Sequence, residues 1–173
     1  GATVNANLGA GTVFNLGGAS TLNGKVAGDI AVQGGTLTLG TSNRIADAAT
    51  VLVSTGATLD LGANSDTVGV FALGGTLAGT GTLTASQYQL TGATVNANLG
   101  AGTVFNLGGA STLNGKVAGD IAVQGGTLTL GTSNRIADAA TVLVSTGATL
   151  DLGANSDTVG VFALGGTLAG TGT

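Results

Sequence analysis

Aliphatic and polar side chains alternate along short stretches of this chain, and these stretches recur at nearly even intervals. The hexad GTLTLG at Gly35 is echoed by ATLDLG at Ala57, GTLTAS at Gly81 and GTVFNL at Gly102, and it returns at Gly126. Threonine takes the second position of each hexad and an aliphatic residue takes the third. Because successive residues of a strand point to opposite faces, each hexad is predicted to be a strand with one aliphatic face.

The hexads recur at slightly unequal intervals of about two dozen residues, and four successive intervals make up a longer, 91-residue period. Residues 1–82 recur unchanged as residues 92–173, whereas residues 83–91 occur once. Equivalent strands at such even spacing favour parallel pairing with the copy one turn away, which is the arrangement of a solenoid. The sequence therefore predicts an all-β fold, a right-handed parallel β-helix with about 23 residues per coil and four coils per 91-residue repeat.

We expect residues 1–173 to form one continuous β-solenoid, with repeat one at 1–91 and a truncated repeat two at 92–173. Stacked coils would place the third hexad positions in one inward column. The members of that column in repeat one would be Val13, Leu37, Leu59 and Leu83. The second positions would form one outward column, and this candidate surface consists of Thr12, Thr36, Thr58, Thr82, Thr103, Thr127 and Thr149.

Aromatic residues are few and raise one question about register. Phe71 is predicted to fill the core or a corner. Phe14 falls at an outward hexad position, where alternation predicts exposure. The unusual Asn15 and Leu16 beside it indicate a slipped strand that would bury the ring, and we favour burial over exposure. An exposed Phe14 would be an adhesive position repeated along the fibre.

The composition separates this chain from disordered and membrane-spanning proteins. Of the 173 residues 34 are Gly, 43% are hydrophobic and only 7% are charged, the opposite of the balance in disordered chains. Apolar runs reach only about four residues, and a membrane-spanning helix needs roughly 20. The net charge of −4 disfavours nucleic acid and anionic lipid as partners. We therefore expect no nucleic-acid binding and no membrane insertion.

Two stretches resemble ligand-binding loops but lack the required residues. The stretch ASTLNGKV at 19–26 resembles a phosphate-binding loop without its leading glycine and its final Ser or Thr. Asp60, Asn64 and Asp66 match neither of two common calcium-loop patterns. An Asx-type turn at residues 64–66 is the favoured interpretation.

Catalysis also lacks its usual residue pairs. Glycoside hydrolysis requires two facing carboxylates, and Asp60 is expected to lie between Thr38 and Thr84 in its outward column. The chain contains no His and no Cys, so it has no Ser–His or Cys–His pair. We therefore expect no enzymatic activity, no cofactor and no metal site.

The run DAATVLVSTGATLDLGANSDTVGVFALGGTLAGTGTLTA (Asp47–Ala85) resembles the passenger repeats of Gram-negative autotransporters. It is also similar to the haemagglutinin-like adhesins that two-partner systems secrete. The resemblance implies an extracellular β-helical stalk at the bacterial outer-membrane surface, exported unfolded and folded there. Adhesion, aggregation or the display of a terminal domain would be its role.

Two functions are compatible with this pattern. The first is a structural repeat segment of a bacterial cell-surface fibre or adhesin, with neighbouring identical repeats, other copies of the chain, or a host or abiotic surface as partners. The alternative is a solenoid face that recognises a glycan or ice through the outward threonine column. Because the chain begins at Gly1 and stops in mid-pattern, we expect an excised fragment whose ends stack on one another. A natural array and an engineered concatenation would both give such identical repeats.

Overall fold

The computed structural model describes residues 1–11, the backbone of residues 14–16, and residues 18–173. All regular elements in this part of the chain are β-strands, and they form two ten-stranded sheets. Sheet I contains, in spatial order, β1 (Thr3–Val4), β3 (Ala19–Leu22), β5 (Thr36–Leu39), β7 (Thr58–Asp60), β9 (Thr76–Ala78), β11 (Thr94–Val95), β14 (Ala110–Leu113), β16 (Thr127–Leu130), β18 (Thr149–Asp151) and β20 (Thr167–Ala169).

Sheet II contains the other strands, again one from each coil. Its order is β2 (Phe14–Leu16), β4 (Ile30–Val32), β6 (Thr50–Val53), β8 (Asp66–Leu73), β10 (Thr82–Thr91), β13 (Thr103–Gly108), β15 (Ile121–Val123), β17 (Thr141–Val144) and β19 (Val161–Leu164). The short strand β12 (Asn98–Leu99) pairs with the first residues of β10.

Every pairing between these strands is parallel, and each strand inside the two ladders pairs with the strands one coil before and after it. In sheet I, Leu37 lies opposite Leu59, and Leu59 lies opposite Leu77. A third, shorter face is held by isolated parallel bridges, which join Leu8, Val26 and Ile45 in repeat one and Leu99, Val117 and Ile136 in repeat two. The chain is therefore a parallel β-solenoid of about nine turns.

The coils are shorter than the sequence predicted. On sheet I, Thr58 pairs with Thr76, and Thr76 pairs with Thr94. On sheet II, five successive pairings lead from Ile30 to its copy Ile121 in the next repeat. The residues between them are Val51, Phe71, Tyr88 and Val104. Each 91-residue repeat thus makes five coils of roughly 18 residues, not the predicted four coils of about 23 residues.

The difference arises because the hexads do not share one face. The hexads at Gly35 and Ala57 provide β5 and β7 of sheet I, as predicted. The hexad at Gly81 opens β10, and the hexad at Gly102 opens β13, and both strands belong to sheet II. On sheet I the next strands are β9 and β11, whose sequences resemble the hexads less closely.

The core is a set of aliphatic columns along the axis of the solenoid. Leu37, Leu59 and Leu77 have no exposed surface and form one such column. Each buried leucine side chain contributes about 1.5–3 kcal/mol relative to an exposed one. Leu83 is buried as well, but it pairs with Asp66 and Leu99 rather than with Leu59. Val13, the remaining predicted member of the inward column, lies outside the described residues.

The prediction for Phe71 is confirmed, because its ring is fully buried in the core. The side chain of Phe14 lies outside the described residues, so its predicted burial stays a prediction. Its copy Phe105 is half-buried on the outer side of sheet II. The two copies also differ in pairing, since Phe14 lies opposite Ile30 whereas Phe105 lies opposite Ala122.

Glycine allows the coils to approach each other at the corners. At Gly79, φ is 105°, and a Cβ atom there would lie 2.5 Å from the carbonyl oxygen of Gly62 in the preceding coil. A side chain at position 79 would therefore push the two coils apart. The residue carrying it would also have to keep a left-handed backbone conformation that residues other than glycine avoid.

The last coil leaves apolar side chains uncovered. Phe162 is 38% exposed and Leu168 is 45% exposed, whereas their copies Phe71 and Leu77 have no exposed surface. A hollow of about 220 Å³ opens among these side chains. In the interior of the solenoid, the equivalent surface around Phe71 is covered by β10.

Candidate functional site

The seven threonines predicted to form one outward column are divided among different faces. Thr36 and Thr58 lie opposite each other on sheet I, and so do their copies Thr127 and Thr149. The remaining threonines are placed apart from these pairs: Thr82 pairs with Asn98 at the start of β10, Thr103 pairs with Gln87 in sheet II, and Thr12 lies outside the described residues.

Sheet I instead carries a longer threonine column that the hexads did not reveal. Six half-buried threonines from successive coils lie side by side on its outer face: Thr36, Thr58, Thr76, Thr94, Thr112 and Thr129. Parallel strands set them about 4.8 Å apart along the axis. The repeated TL and TV pairs at residues 76–77 and 94–95 were the signal for this column. We call this surface the threonine column.

The row beside the threonine column is irregular. It runs through Thr3, Thr21 and Thr38 and continues with Asp60 and Ala78, so the predicted neighbour Thr84 is not there. Asp60 is half-buried, and its Oδ1 accepts a hydrogen bond from the backbone N–H of Gly62 at 2.8 Å. No second carboxylate faces Asp60 from the paired strands, since its paired residues are Thr38 and Ala78.

Asp66 is the most buried acidic residue and is held by backbone groups. It is 2% exposed. Its Oδ2 accepts hydrogen bonds from the backbone N–H groups of Arg44 at 2.7 Å and Ile45 at 3.2 Å, and its Oδ1 accepts one from Thr67 at 2.9 Å. Burial raises the pKa of the Asp66 carboxyl above 3.8, although the three backbone donors oppose this rise. The carboxylate therefore replaces backbone acceptors at a corner.

The stretch that was compared with calcium loops also uses its polar side chains in hydrogen bonds to the backbone. Asn64 donates from Nδ2 to the backbone carbonyl of Leu39 at 2.9 Å, one coil away. The Asx-type hydrogen bond is therefore made by Asp60 with Gly62 rather than at residues 64–66. Among the described residues, no three His, Cys, Asp or Glu side chains lie close enough together to hold a metal ion.

The stretch that resembles a phosphate-binding loop, residues 19–26, begins as β3 on sheet I and ends on the third face. Asn23 donates to the side chain of Asn5 at 2.7 Å, and the exposed Lys25 uses its backbone N–H to reach Asn7 at 2.8 Å. Strand β3 is followed by the next coil rather than by a helix, so the stretch forms part of the ladder.

Tyr88 occupies a corner that sequence reasoning did not assign to it. Its ring is fully buried, and its hydroxyl accepts a hydrogen bond from the backbone N–H of Ala85 and donates to the carbonyl of Leu83, both at 2.9 Å. Burial raises the pKa of Tyr88 to about 12. The hydroxyl thus satisfies backbone groups where β10 bends from the third face into sheet II. The sequence pointed to this residue only through its position, because the single tyrosine lies in the single unrepeated stretch.

Asn106 is a second polar side chain inside the solenoid. It has no exposed surface, and its Nδ2 donates to the carbonyl of Gly125 at 2.6 Å. Its Oδ1 has no hydrogen-bond partner. It occupies an inward position of β13 between Leu90 and Val123, where the neighbouring coils place aliphatic residues.

These geometries describe long outer faces and a closed core rather than a cleft with converging polar groups. The chain matches no protein-family model, no curated protein and no solved structure at significant similarity. In the described part of the chain, no helix is long and apolar enough to span a bilayer.

Proposed function

We propose that this chain is a structural segment of a bacterial cell-surface fibre or adhesin, wound as a right-handed β-helix, that spaces and presents other parts of the fibre. The observation that carries the proposal is the parallel ladder, which continues from β1 to β20 on sheet I with one strand per coil. A fibre built this way lengthens in proportion to its number of repeats, because each coil adds about 4.8 Å.

The placement of the polar side chains supports a structural role. The carboxylates of Asp29, Asp60 and Asp66 each accept hydrogen bonds from backbone N–H groups, so they serve the corners of the coils. The core contains aliphatic columns, and the outer face of sheet I is threonine-rich. This arrangement requires no catalysis, and we propose no enzymatic role for the chain.

The resemblance of Asp47–Ala85 to autotransporter passengers supports an extracellular location at the outer-membrane surface. The partners we propose are adjacent repeats of a parent chain, further copies of this chain, and a host or abiotic surface. The continuous ladder supports adjacent repeats as partners, because the coils of residues 92–173 stack directly on those of residues 1–91.

A display experiment tests the spacer function. The chain is inserted between an outer-membrane anchor and an epitope, and the height of the epitope above the membrane is measured by electron microscopy. Each added 91-residue repeat should raise the epitope by roughly 24 Å, five coils at the parallel-strand spacing. A height that does not grow with repeat number would contradict the proposal.

A binding face for a glycan or for ice is the second candidate function, and the threonine column favours it. Six threonines at regular spacing offer a repeated array of hydroxyl and methyl groups. Replacing Thr76 and Thr94 by Ala should abolish thermal hysteresis or glycan binding if the column binds, whereas a spacer tolerates both changes. Thr50→Ala and Thr141→Ala on sheet II provide the matched control.

A further inference from the structure

The outer face of sheet II carries an apolar stripe that the structural role does not use. One residue from each of eight successive strands contributes to it, and every neighbouring pair is in register. We call this set the apolar stripe: Ala31, Leu52, Ala72, Gln89, Phe105, Ala122, Leu143 and Ala163. Leu52 and Leu143 are each 43% exposed. Between Ala31 and Ala163, the stripe contains no charged residue.

Large and small side chains alternate along the apolar stripe, except where Gln89 and Phe105 are neighbours. Leu52 lies between Ala31 and Ala72, and Leu143 lies between Ala122 and Ala163. Phe105 lies between Gln89 and Ala122. Each large side chain therefore projects beside at least one position where only a methyl group covers the backbone.

One of the small positions lies in a measurable hollow. A depression of about 330 Å³ is lined by Ala72, Gly74 and Gln89, with the exposed Leu52 and Leu107 at its margins. A hollow of this size, open to solvent and lined largely by apolar atoms, is suited to receive an aromatic or a leucine side chain.

We propose that the occupant of this hollow is Phe105 of a second copy of the chain, in a twofold dimer whose solenoids run antiparallel. The twofold axis passes at Gln89. Counting strands away from Gln89, Phe105 is one coil further along the solenoid and Ala72 is one coil back. An antiparallel second copy therefore brings its Phe105 over Ala72, and the symmetric contact forms at the other side of the axis.

The same axis matches the other large residues with small ones. Leu52 lies two coils before Gln89, and Ala122 lies two coils after it, so they face each other across the dimer. Leu143 and Ala31 are each three coils from Gln89 and also face each other. In a parallel, in-register dimer, Phe105 would face Phe105 and leucine would face leucine, which leaves the hollow empty.

The charges at the edge of the stripe are compatible with the antiparallel arrangement. Asp29 and Asp120 lie in the row of Thr50 and Thr141, whose backbone N–H groups they bind at 2.8 and 2.7 Å. Antiparallel pairing about Gln89 sets Asp120 opposite Thr50 and Asp29 opposite Thr141, so no two carboxylates meet.

The size of the stripe predicts a weak dimer. Seven strands, three on each side of Gln89 and its own, face each other and span roughly 29 Å along the axis, and a width of about 10 Å gives roughly 600 Å² of buried surface for the two copies together. This area is below the roughly 1,200 Å² of a stable interface. The dimer should thus appear only at high protein concentration and strengthen with each added repeat.

Sedimentation equilibrium up to about 1 mM protein tests the pairing. We expect a monomer–dimer equilibrium that weakens at least tenfold in Ala72→Leu, which fills the hollow from outside without disturbing the core. Thr76→Leu in the same coil, on sheet I, should leave the equilibrium unchanged. A chain that stays monomeric, or a dimer insensitive to Ala72→Leu, would overturn the proposal. Species larger than a dimer that are insensitive to Ala72→Leu would indicate end-to-end stacking instead.

Cross-linking tests the direction of the two chains, and the absence of native cysteine makes it unambiguous. A short bismaleimide suits the spacing of about 10 Å between stacked sheets. Gln89→Cys should cross-link to itself, and Leu143→Cys should cross-link to Ala31→Cys only when the two variants are mixed. Self-linking of Leu143→Cys would show parallel pairing and overturn the proposal. The inference deepens the homotypic association proposed above, but its failure would leave the spacer function standing, because the display experiment tests that separately.

Discussion

Polar side chains inside this solenoid act on backbone groups at the corners. Along the straight parts, each backbone N–H finds a carbonyl in the next coil. Where coils of unequal length meet, some donors lose that partner, and a side chain takes its place. The coil that leads from Thr38 to Asp60 is longer than the following coil, which leads from Asp60 to Ala78. Asp66 serves the longer coil, and Tyr88 serves the bend of β10.

Tyr88→Phe should destabilise the chain by about 1–3 kcal/mol, because the Ala85 N–H and the Leu83 carbonyl would lose their partner inside the core. The ring itself stays, so packing is unchanged. Chemical denaturation measures the difference. The stretch that forms this corner occurs once in the sequence, so one substitution removes the interaction from this chain. An unfolding free energy equal to that of the parent chain would show that solvent replaces the hydroxyl.

Tyr88 also predicts a loss of stability at alkaline pH. Its pKa is about 12 in the folded chain against an ordinary value of 10.0, so the folded state holds the phenolic proton more tightly than the unfolded state. Stability from this group is fully present below about pH 10 and falls as pH rises to about 12, by about 2–3 kcal/mol in total. Denaturation at successive pH values should show this decline, and Tyr88→Phe should lack it.

Asp66→Ala should cost about 2–4 kcal/mol, because the N–H groups of Arg44 and Ile45 would be left without an acceptor. Asp47→Ala, at an exposed site in the same repeat, is the matched control and should be nearly neutral. The raised pKa of Asp66 has a further consequence: its contribution grows as pH falls from the folded pKa towards 3.8. If the stability of the parent chain did not rise in this pH range, and Asp66→Ala showed the same pH dependence, this role of Asp66 would be contradicted.

At the scale of the strands, alternation determines which side chains point inward, and a substitution pair tests it. Leu59→Asp should destabilise the chain by about 3–5 kcal/mol, since it places an unpaired charge between Leu37 and Leu77. Thr58→Ser on the outer face should cost less than about 1 kcal/mol. Equal tolerance of both changes in thermal unfolding would be incompatible with the observed register.

The strands themselves were predictable, but their assignment to faces was not. Hexads such as those at Gly35 and Ala57 became β5 and β7 because period-two alternation is a local property. The length of chain between paired strands depends on how each corner closes in three dimensions, which alternation does not report. The same three-residue pattern GTL opens β5 on sheet I and β10 on sheet II. The predictions of four coils per repeat and of one seven-threonine column both placed strands of sheet I and sheet II on a single face.

The candidate surfaces were likewise predictable only in part. The sequence indicated a threonine face and the absence of a catalytic pair, and the structure places six threonines in a column drawn from different stretches. The apolar stripe was not predictable, because its members Leu52, Phe105 and Leu143 are separated along the chain and carry no shared signal of exposure. They become neighbours of alanine only through the pairing between coils.

At the scale of the whole molecule, a solenoid is held together by contacts between adjacent coils, so the effect of a defect depends on its position. The chain offers a matched test, because Leu59 and Leu150 are copies of one residue in identical local sequence. Leu59 is covered by several coils on both sides, whereas only the coil of β20 follows Leu150 on sheet I.

Leu150→Asp should therefore unfold only the terminal coils and cost less than Leu59→Asp. Hydrogen exchange should show lost protection in β18 to β20, while β5 to β9 keep theirs. Leu59→Asp should instead remove protection on both sides of its coil, since interior coils lose two interfaces at once. If the two variants lost the same stability and the same protected amides, the chain would unfold as one cooperative block, and contacts beyond adjacent coils would have to couple its ends.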